Sequence, residues 1–225
     1  MIQVLVVEDN YKLCEIIQFY LTQDDQYQCT LVNSAEEALR LINIRTFDII
    51  LLDILLPKMN GIEFCQSTRK TLYCPIIFIS CMSDEETIVK AIQMGGDDYI
   101  IKPFSAKILM AHIQANLRRC RRYTEKTVSV KERDLELNFT TQTVYKNGNR
   151  ILLSPTEFEL LAIFMQNKGV LIPFDDLYTR IWQQPSLSDI RTLFVHVSNL
   201  RKKIEDDPAN PSYICTHQRR GYLFS

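Results

Sequence analysis

Four short apolar runs along the first half of the chain show no alternation with polar residues. The runs are residues 2–7, 48–53, 75–80 and 98–101. Continuous apolar runs of this length are typical of strands that are buried on both faces of a parallel sheet. The pattern therefore predicts a sheet that is covered by helices on both sides.

Amphipathic stretches with helical spacing lie between these runs. Apolar residues recur every three or four positions in residues 10–22 and 34–45, and a last helix is predicted at residues 105–119. Strands that alternate with helices of this length indicate βαβ units with right-handed crossovers. We therefore predict an α/β fold with a doubly wound parallel sheet.

The pattern changes after residue 122. Residues 123–134 are polar and weakly patterned, which suggests a boundary, and residues 135–153 alternate like short antiparallel strands with a turn at Asn147-Gly148. Helices at 156–167, 174–182 and 189–205 and a hairpin at 213–225 follow. We predict a first domain at 1–122, a linker at 123–130 and a second, α+β domain at 131–225.

Charge is distributed unevenly over a chain that is nearly neutral overall. Residues 1–117 contain 9 basic and 15 acidic residues, a net charge of −6, whereas residues 118–225 contain 17 basic and 12 acidic residues, a net charge of +5. The asymmetry suggests that the two halves have partners of different kinds, although solvated surface charge explains it equally well.

Composition excludes several classes of protein. The seven cysteines are scattered without metal-binding spacing, which argues against a disulfide framework or a zinc site. The N-terminus shows no signal-peptide pattern, and no apolar run approaches the roughly 20 residues that a membrane span needs. We expect a cytoplasmic protein that does not associate with membranes.

Chemically capable residues stand at the ends of the predicted strands. The carboxyl ends of parallel strands share one edge of an open α/β sheet, where ligands bind. Glu8 and Asp9 follow the first run, Asp53 and Ser80 end the second and third, and Lys102 follows the fourth. Each residue alone has an ordinary explanation as a cap or turn residue, but their agreement in order predicts one site.

This set of residues suits phosphoryl transfer. Clustered carboxylates favour a hard cation such as Mg²⁺, which keeps positions open for phosphate oxygens. A carboxylate can accept a phosphoryl group as an acyl phosphate, with the metal and an ammonium neutralising the charge. The hydroxyl of Ser80 can donate a hydrogen bond to a phosphoryl oxygen.

Several motifs in the first half resemble the receiver domain of two-component response regulators. They are VLVVEDN (4–10), DIILLDILLPKMNGIEF (48–64), PIIFIS (75–80) and GGDDYIIKPF (95–104). The resemblance implies a CheY-like, flavodoxin-like fold with a doubly wound, five-stranded parallel sheet, in which Asp53 is the phosphoacceptor and Lys102 and Ser80 assist catalysis. It also implies Mg²⁺ bound by Glu8, Asp9, Asp53 and the carbonyl of Leu55, a switch formed by Ser80 and Tyr99, and a cis bond between Lys102 and Pro103.

The second half resembles the winged-helix domain of OmpR/PhoB-type regulators, through residues 152–182, 191–205 and 213–224. The third helix would be the recognition helix, with polar groups toward bases and basic groups toward phosphates of double-stranded DNA. The predicted DNA-binding residues are Trp182, Arg191, Thr192, His196, Asn199, Arg201, Lys202, Lys203, Thr216, Arg219, Arg220 and Tyr222.

Three positions depart from the family pattern in the DNA-binding half. Asn199 stands where a base-reading arginine is frequent, and because asparagine pairs well with adenine we expect a site richer in A·T pairs. Phe194 replaces an acid, and either contacts a thymine methyl group or extends the core. Gln218 stands where an arginine often enters the minor groove, and Arg219 or Arg220 is expected to replace it.

Relatives with this output domain usually dimerise through helix four, strand five and helix five. The residues available for that face are Lys90, Asp97, Asp98, Ile108, His112 and Arg119. Ile108 stands where an acid is usual and His112 where an arginine is usual, so the typical ion pair through these positions cannot form. A homodimer is expected to depend more on apolar contacts.

The resemblance implies a regulator rather than an enzyme, with a sensor histidine kinase, double-stranded DNA and RNA polymerase as partners. Two other functions stay open at this stage. A phosphohydrolase with an aspartyl nucleophile usually has a second acid where this chain has Leu55, and a regulator that ignores phosphorylation would not need the acidic cluster. A redox sensor acting through Cys81 is a further, weaker alternative.

Overall fold

The structure is a computed structural model and describes residues 1–121, 129–183, 190–217 and 220–225, without the side chains of residues 120 and 121. The chain divides into two compact units, Met1–Leu117 and Arg118–Ser225. Each unit has its own hydrophobic core, as expected for independently folding domains.

The first unit is built on a five-stranded parallel sheet in the order β2-β1-β3-β4-β5. Five helices alternate with its strands, which confirms the predicted α/β class. The strands are β1 (Ile2–Val7), β2 (Tyr27–Val32), β3 (Ile49–Leu52), β4 (Ile76–Ser80) and β5 (Asp98–Ile101). The helices are α1 (Tyr11–Thr22), α2 (Ala35–Ile42), α3 (Gly61–Thr68), α4 (Glu85–Gln93) and α5 (Ala106–Arg121), of which the last four residues belong to the second unit.

The apolar runs are continuous because successive side chains enter two different cores. Val7 and Leu52 pack in the cluster that includes Phe64 of α3, whereas Val6 and Leu51 pack in the opposite cluster, with Ile17 of α1. Alternate side chains of a strand point to opposite faces, so a sheet covered on both sides requires apolar residues at every position.

The second unit contains three helices and two antiparallel sheets. Its four-stranded sheet has the order β6-β7-β8-β9, and its three-stranded sheet has the order β10-β12-β11. The strands are β6 (Ser129–Glu132), β7 (Leu135–Asn138), β8 (Thr143–Lys146), β9 (Asn149–Ile151), β10 (Leu171–Pro173), β11 (Ile214–His217) and β12 (Gly221–Phe224). The helices are α6 (Pro155–Gln166), α7 (Phe174–Trp182) and α8 (Arg191–Ile204).

The turn predicted at Asn147-Gly148 is confirmed. Both residues have positive φ angles, 51° and 78°, as a two-residue hairpin turn between β8 and β9 requires. Helix α6 is apolar nearly all round, and its first eleven residues are buried. It therefore forms the centre of the core of this unit, against which α8 packs along Leu193, Val197 and Leu200.

Some elements differ from the sequence prediction. Strand β2 is not a continuous apolar run, so the sequence pattern does not predict it. It lies at the edge of the sheet, where its residues 28–31 are exposed or partly exposed and more polar. Strand β6 begins at Ser129, two residues inside the predicted linker, and residues 123–128 lie outside the described part of the chain. Strand β10 and the short helices α3 and α4 were not located by periodicity alone.

Across the described residues, no helix combines the length and the apolar character that crossing a membrane would require.

Candidate functional site

The ends of β1 and β3 bring three carboxylates together. Ligand oxygens of Glu8, Asp9 and Asp53 all lie within 4.8 Å of one another. Glu8 and Asp53 are buried, with 3% and 5% exposure, whereas Asp9 is exposed. The predicted cluster is therefore a pocket with two buried acids and one acid at its mouth.

Lys102, which follows β5, is hydrogen-bonded to both buried acids. Its Nζ atom lies 2.7 Å from Oε2 of Glu8 and 2.7 Å from Oδ2 of Asp53. Burial raises the pKa of Glu8, against the hydrogen bond from Lys102, which lowers it. Burial lowers the pKa of Lys102, but hydrogen bonds to Asp53 and Glu8 outweigh that effect and raise it above its ordinary value. The ammonium is thus retained and compensates part of the acidic charge.

Backbone contacts hold Asp53 in place. Its N–H donates to the carbonyl of Val7 (2.9 Å), and the N–H of Leu55 donates to Oδ1 (3.2 Å). Gly61, at the start of α3, packs on the same loop. A Cβ atom there would lie 2.0 Å from the carbonyl oxygen of Asp53, so only glycine fits. The sequence motif contains Gly61 but carries no signal for this role, because the role depends on the approach of the segment that holds Asp53.

Ser80 and Tyr99 lie beside the acidic pocket. Ser80 is fully buried at the end of β4, and its Oγ accepts a hydrogen bond from the N–H of Met82 (3.3 Å). The ring of Tyr99 is turned inward at 9% exposure, and its hydroxyl donates to the carbonyl of Met82 (2.7 Å). Both predicted switch residues therefore contact the same residue of the β4–α4 loop.

The donor set fits a small divalent cation. Carboxylate oxygens are the ligands that Mg²⁺ prefers, and the exposed Asp9 leaves one side of the cluster open to water. Leu55, the predicted source of a carbonyl ligand, follows β3 and is 54% exposed. The Lys102–Pro103 bond is cis, as expected.

The predicted DNA-binding residues fall into two groups. Lys202, Lys203, Thr216 and Arg220 are exposed, and Arg191 and Arg201 are partly exposed. Trp182, Thr192, His196, Asn199 and Tyr222 are buried. Arg219, like Gln218, lies outside the described residues. Members of the buried group must become accessible before they can contact DNA, and their roles stay predictions.

Arg201 joins α8 to the hairpin formed by β11 and β12. Its guanidinium donates to the carbonyl of Ile214 (2.6 Å) and to Oγ1 of Thr216 (2.9 Å), and it lies 5.3 Å from the ring centroid of Tyr222. Lys203 instead pairs with Glu157 at 2.5 Å. The two cations are thus already oriented by neighbouring side chains.

The predicted dimer residues differ in exposure. Lys90 and Ile108 are exposed, whereas Asp97 is fully buried and its Oδ2 lies 2.6 Å from Nη2 of Arg69. Asp97 also accepts a hydrogen bond from the N–H of Ile76 (3.0 Å), so its carboxylate has partners inside the first unit, and its place in a dimer face stays a prediction.

Two further members of the predicted dimer face pair within the first unit. Nδ1 of His112 lies 2.8 Å from Oδ2 of Asp98, and Nδ2 of Asn116 donates to the same oxygen (2.9 Å). Arg119 belongs to the second compact unit, where its guanidinium lies 5.6 Å from the ring centroid of Trp182. The dimer itself stays a prediction.

Comparison with known families assigns both halves of the chain. Residues 4–114 match the family described as response regulator receiver domain, and residues 148–224 match the family described as transcriptional regulatory protein, C terminal. These matches agree with the parallel sheet of the first unit and the helices and antiparallel sheets of the second.

Curated relatives match this chain over nearly its whole length and theirs. The chain is 35% identical over 231 residues to the transcriptional regulatory protein YrkP of Bacillus subtilis, covering 99% of this chain and 97% of that protein. It is 33% identical over 220 residues to the DNA-binding response regulator MtrA of Mycobacterium tuberculosis, covering 98% of this chain and 95% of that protein.

Solved structures support the same assignment. DrrB of Thermotoga maritima, described as an OmpR/PhoB homologue, aligns over 100% of this chain and 99% of its own with 30% identity and a TM-score of 0.52. A RitR mutant aligns over the same shares with 25% identity and a TM-score of 0.82. The chain therefore belongs to the OmpR/PhoB-type response regulators, with a receiver domain followed by a transcriptional regulatory, DNA-binding domain.

Proposed function

We propose that a sensor histidine kinase phosphorylates Asp53 and that this modification controls dimerisation and sequence-specific DNA binding. The observation that carries the proposal is the bridge that Lys102 makes to Glu8 and Asp53 at 2.7 Å each. Because of this bridge, Asp53 has a cation beside it that can neutralise the charge of an incoming phosphoryl group.

The chemistry follows from the positions of the side chains. An Oδ atom of Asp53 attacks the phosphorus of the kinase phosphohistidine, the P–N bond breaks, and the electron pair stays on the leaving nitrogen. Lys102 lies close enough to pair with a phosphoryl oxygen. Mg²⁺, when bound by Glu8, Asp9, Asp53 and the Leu55 carbonyl, would supply charge neutralisation for the transferred group.

The β4–α4 loop is the element that would respond. The hydroxyl oxygen of Ser80 accepts a hydrogen bond from the N–H of Met82 at a long 3.3 Å, and the hydroxyl also contacts the side chain of Tyr99, so its reorientation toward a phosphoryl oxygen would change the contacts of both residues. Tyr99 is already packed inward on the same loop through its bond to the Met82 carbonyl. A shift of Ser80 would therefore displace Met82, which is also hydrogen-bonded to Tyr99.

The output half would then act on double-stranded DNA. Helix α8 and the β11–β12 hairpin present the basic groups of Lys202 and Arg220 at the surface, which suits phosphate contacts. We further propose that the protein is a cytoplasmic regulator rather than an enzyme, that phosphorylation favours a homodimer, and that RNA polymerase is the partner at promoters.

Equilibrium DNA binding tests this proposal. Wild type and Asp53→Ala are compared with and without a small phosphodonor and Mg²⁺, across a salt series that separates phosphate contacts from base contacts. We expect the donor to tighten specific binding by wild type only. Equal affinities of the two proteins under all conditions would favour the alternative of a regulator that ignores phosphorylation.

A further inference from the structure

Helix α8 carries one large apolar side chain at its surface. Phe194 is 39% exposed, although neighbouring apolar residues of the helix, such as Leu193 and Val197, are fully buried. A single exposed apolar side chain is ordinary at a protein surface, so the place of Phe194 on the helix and the contacts of its ring decide what it can do.

Four of the exposed or partly exposed positions of α8 lie on one side of the helix, and the exposed Lys203 lies on the other. Phe194, Ser198, Arg201 and Lys202 are spaced by four, three and one residues, which places them on one side of an α-helix. All four are exposed or partly exposed, and this side of the helix ends in two cations. A surface with this polarity suits a helix that lies in the major groove, with cations near phosphates and Phe194 toward bases.

A row of aromatic rings fixes Phe194 in place. Its ring lies edge-on to Phe174 at 5.1 Å, Phe174 lies edge-on to Tyr222 at 5.0 Å, and Tyr222 lies edge-on to the buried Phe164 at 6.1 Å. Edge-to-face contacts at these separations are favourable. The row runs from the core to the surface, so the exposed edge of Phe194 is held rigidly rather than swinging in solvent.

We propose that Phe194 is a specificity-determining residue that recognises the C5-methyl group of a thymine in each half-site. In the major groove the thymine methyl is the one apolar feature of the four ordinary base edges, and an aromatic edge can contact it but cannot hydrogen-bond to a base. The proposal rests on the proposed DNA-binding function and adds a base preference that Asn199 alone would not produce.

Thymine-to-uracil substitution isolates the methyl group, because the two bases share every hydrogen-bonding group. The operator is first obtained by selection from random duplexes with phosphorylated full-length wild type. Each thymine is then replaced by uracil in turn, and affinities are measured for wild type, Phe194→Ala and Phe194→Leu. Leu152→Ala, which removes an exposed apolar residue outside α8, is the matched control.

We expect one thymine per half-site at which uracil weakens wild type by about three- to tenfold, the effect of losing one methyl contact. Phe194→Ala should bind thymine and uracil equally there, whereas Phe194→Leu and the control should keep a preference. At the same position, 5-methylcytosine should bind wild type more tightly than cytosine does, because it restores the methyl group.

The inference is overturned if uracil has the same effect on wild type and Phe194→Ala at every thymine. It is also overturned if Phe194→Ala keeps the methyl preference but loses transcription activation, because that result would assign Phe194 to a protein contact. In both cases phosphorylation still controls DNA binding. If the wild type selects no sequence at all, the proposed function and this inference fail together.

Discussion

Lys102→Met removes a cation that contacts both buried acids of the receiver pocket. Glu8 and Asp53, with 3% and 5% exposure, then keep their negative charges without the 2.7 Å partners that the structure shows. Removing one partner from a buried ion pair costs about 3–5 kcal/mol. Because the Lys102 side chain is 12% exposed and water can reach the pocket, the lower end applies, about 3 kcal/mol.

Differential scanning calorimetry of the full chain in EDTA should show the receiver transition shifted down by roughly 10–15 °C. The single tryptophan, Trp182, lies in the other compact unit, so its fluorescence does not report on the receiver. Hydrogen exchange of peptides from residues 1–117 gives the free energy instead. Lys107→Met, which removes an exposed lysine of α5, is the control and should change stability by less than about 0.5 kcal/mol.

Two further measurements test whether the loss of stability is caused by the loss of the positive charge. Millimolar Mg²⁺ should stabilise Lys102→Met more than wild type, because a bound cation compensates the same carboxylates. The destabilisation should also grow as pH rises through the range in which Glu8 ionises. Burial raises the pKa of Glu8, and the hydrogen bond from Lys102 lowers it. Without that hydrogen bond, the pKa of Glu8 should be higher still in Lys102→Met. A carboxyl group whose pKa is raised on folding stabilises the folded state at low pH. That contribution to the free energy of unfolding is lost as pH rises through the raised pKa.

A variant that is as stable as wild type in EDTA at pH 8, and that gains nothing extra from Mg²⁺, would refute this reasoning. It would mean that the acids are solvated rather than dependent on Lys102.

Three further outcomes follow from particular contacts. Asp97→Ala should lose about 3–5 kcal/mol of stability, measured by the same hydrogen-exchange series, because it leaves Arg69 without its 2.6 Å partner; a loss under 1 kcal/mol would contradict a structural role. Glu205→Ala should lose about 3 kcal/mol, because its carboxylate accepts three backbone N–H groups, and tryptophan-monitored urea unfolding reads this directly. Alkylation at pH 7.5 should modify the exposed Cys81 well before Cys65, whose pKa burial raises to about 11; similar rates would contradict the packing.

The sequence predicted the receiver fold and its acidic pocket because both depend on local patterns. A strand buried on two faces is a continuous apolar run, and the residue after it stands at the ligand-binding edge wherever the strand pairs. That is why Asp53 and Lys102, 49 residues apart, were placed in one site before any contact was known. Edge strand β2 was missed because partial exposure removes the signal.

The features that escaped prediction depend on contacts between distant segments. The interior role of Asp97 follows from Arg69, 28 residues earlier, which reaches it from the end of α3. The requirement for glycine at 61 follows from the approach of the Asp53 carbonyl. The orientation of Phe194 depends on Phe174 and thus on another helix. No periodicity within one element carries such information.

The most direct test of the account is the mass of the protein after incubation with a small phosphodonor and Mg²⁺. We predict a gain of about 80 Da, one phosphoryl group, that maps to Asp53, disappears with hydroxylamine as an acyl phosphate should, and is absent in Asp53→Ala. A wild-type protein that gains no mass, or an equal gain in Asp53→Ala, would contradict the assignment of Asp53 as the phosphoacceptor.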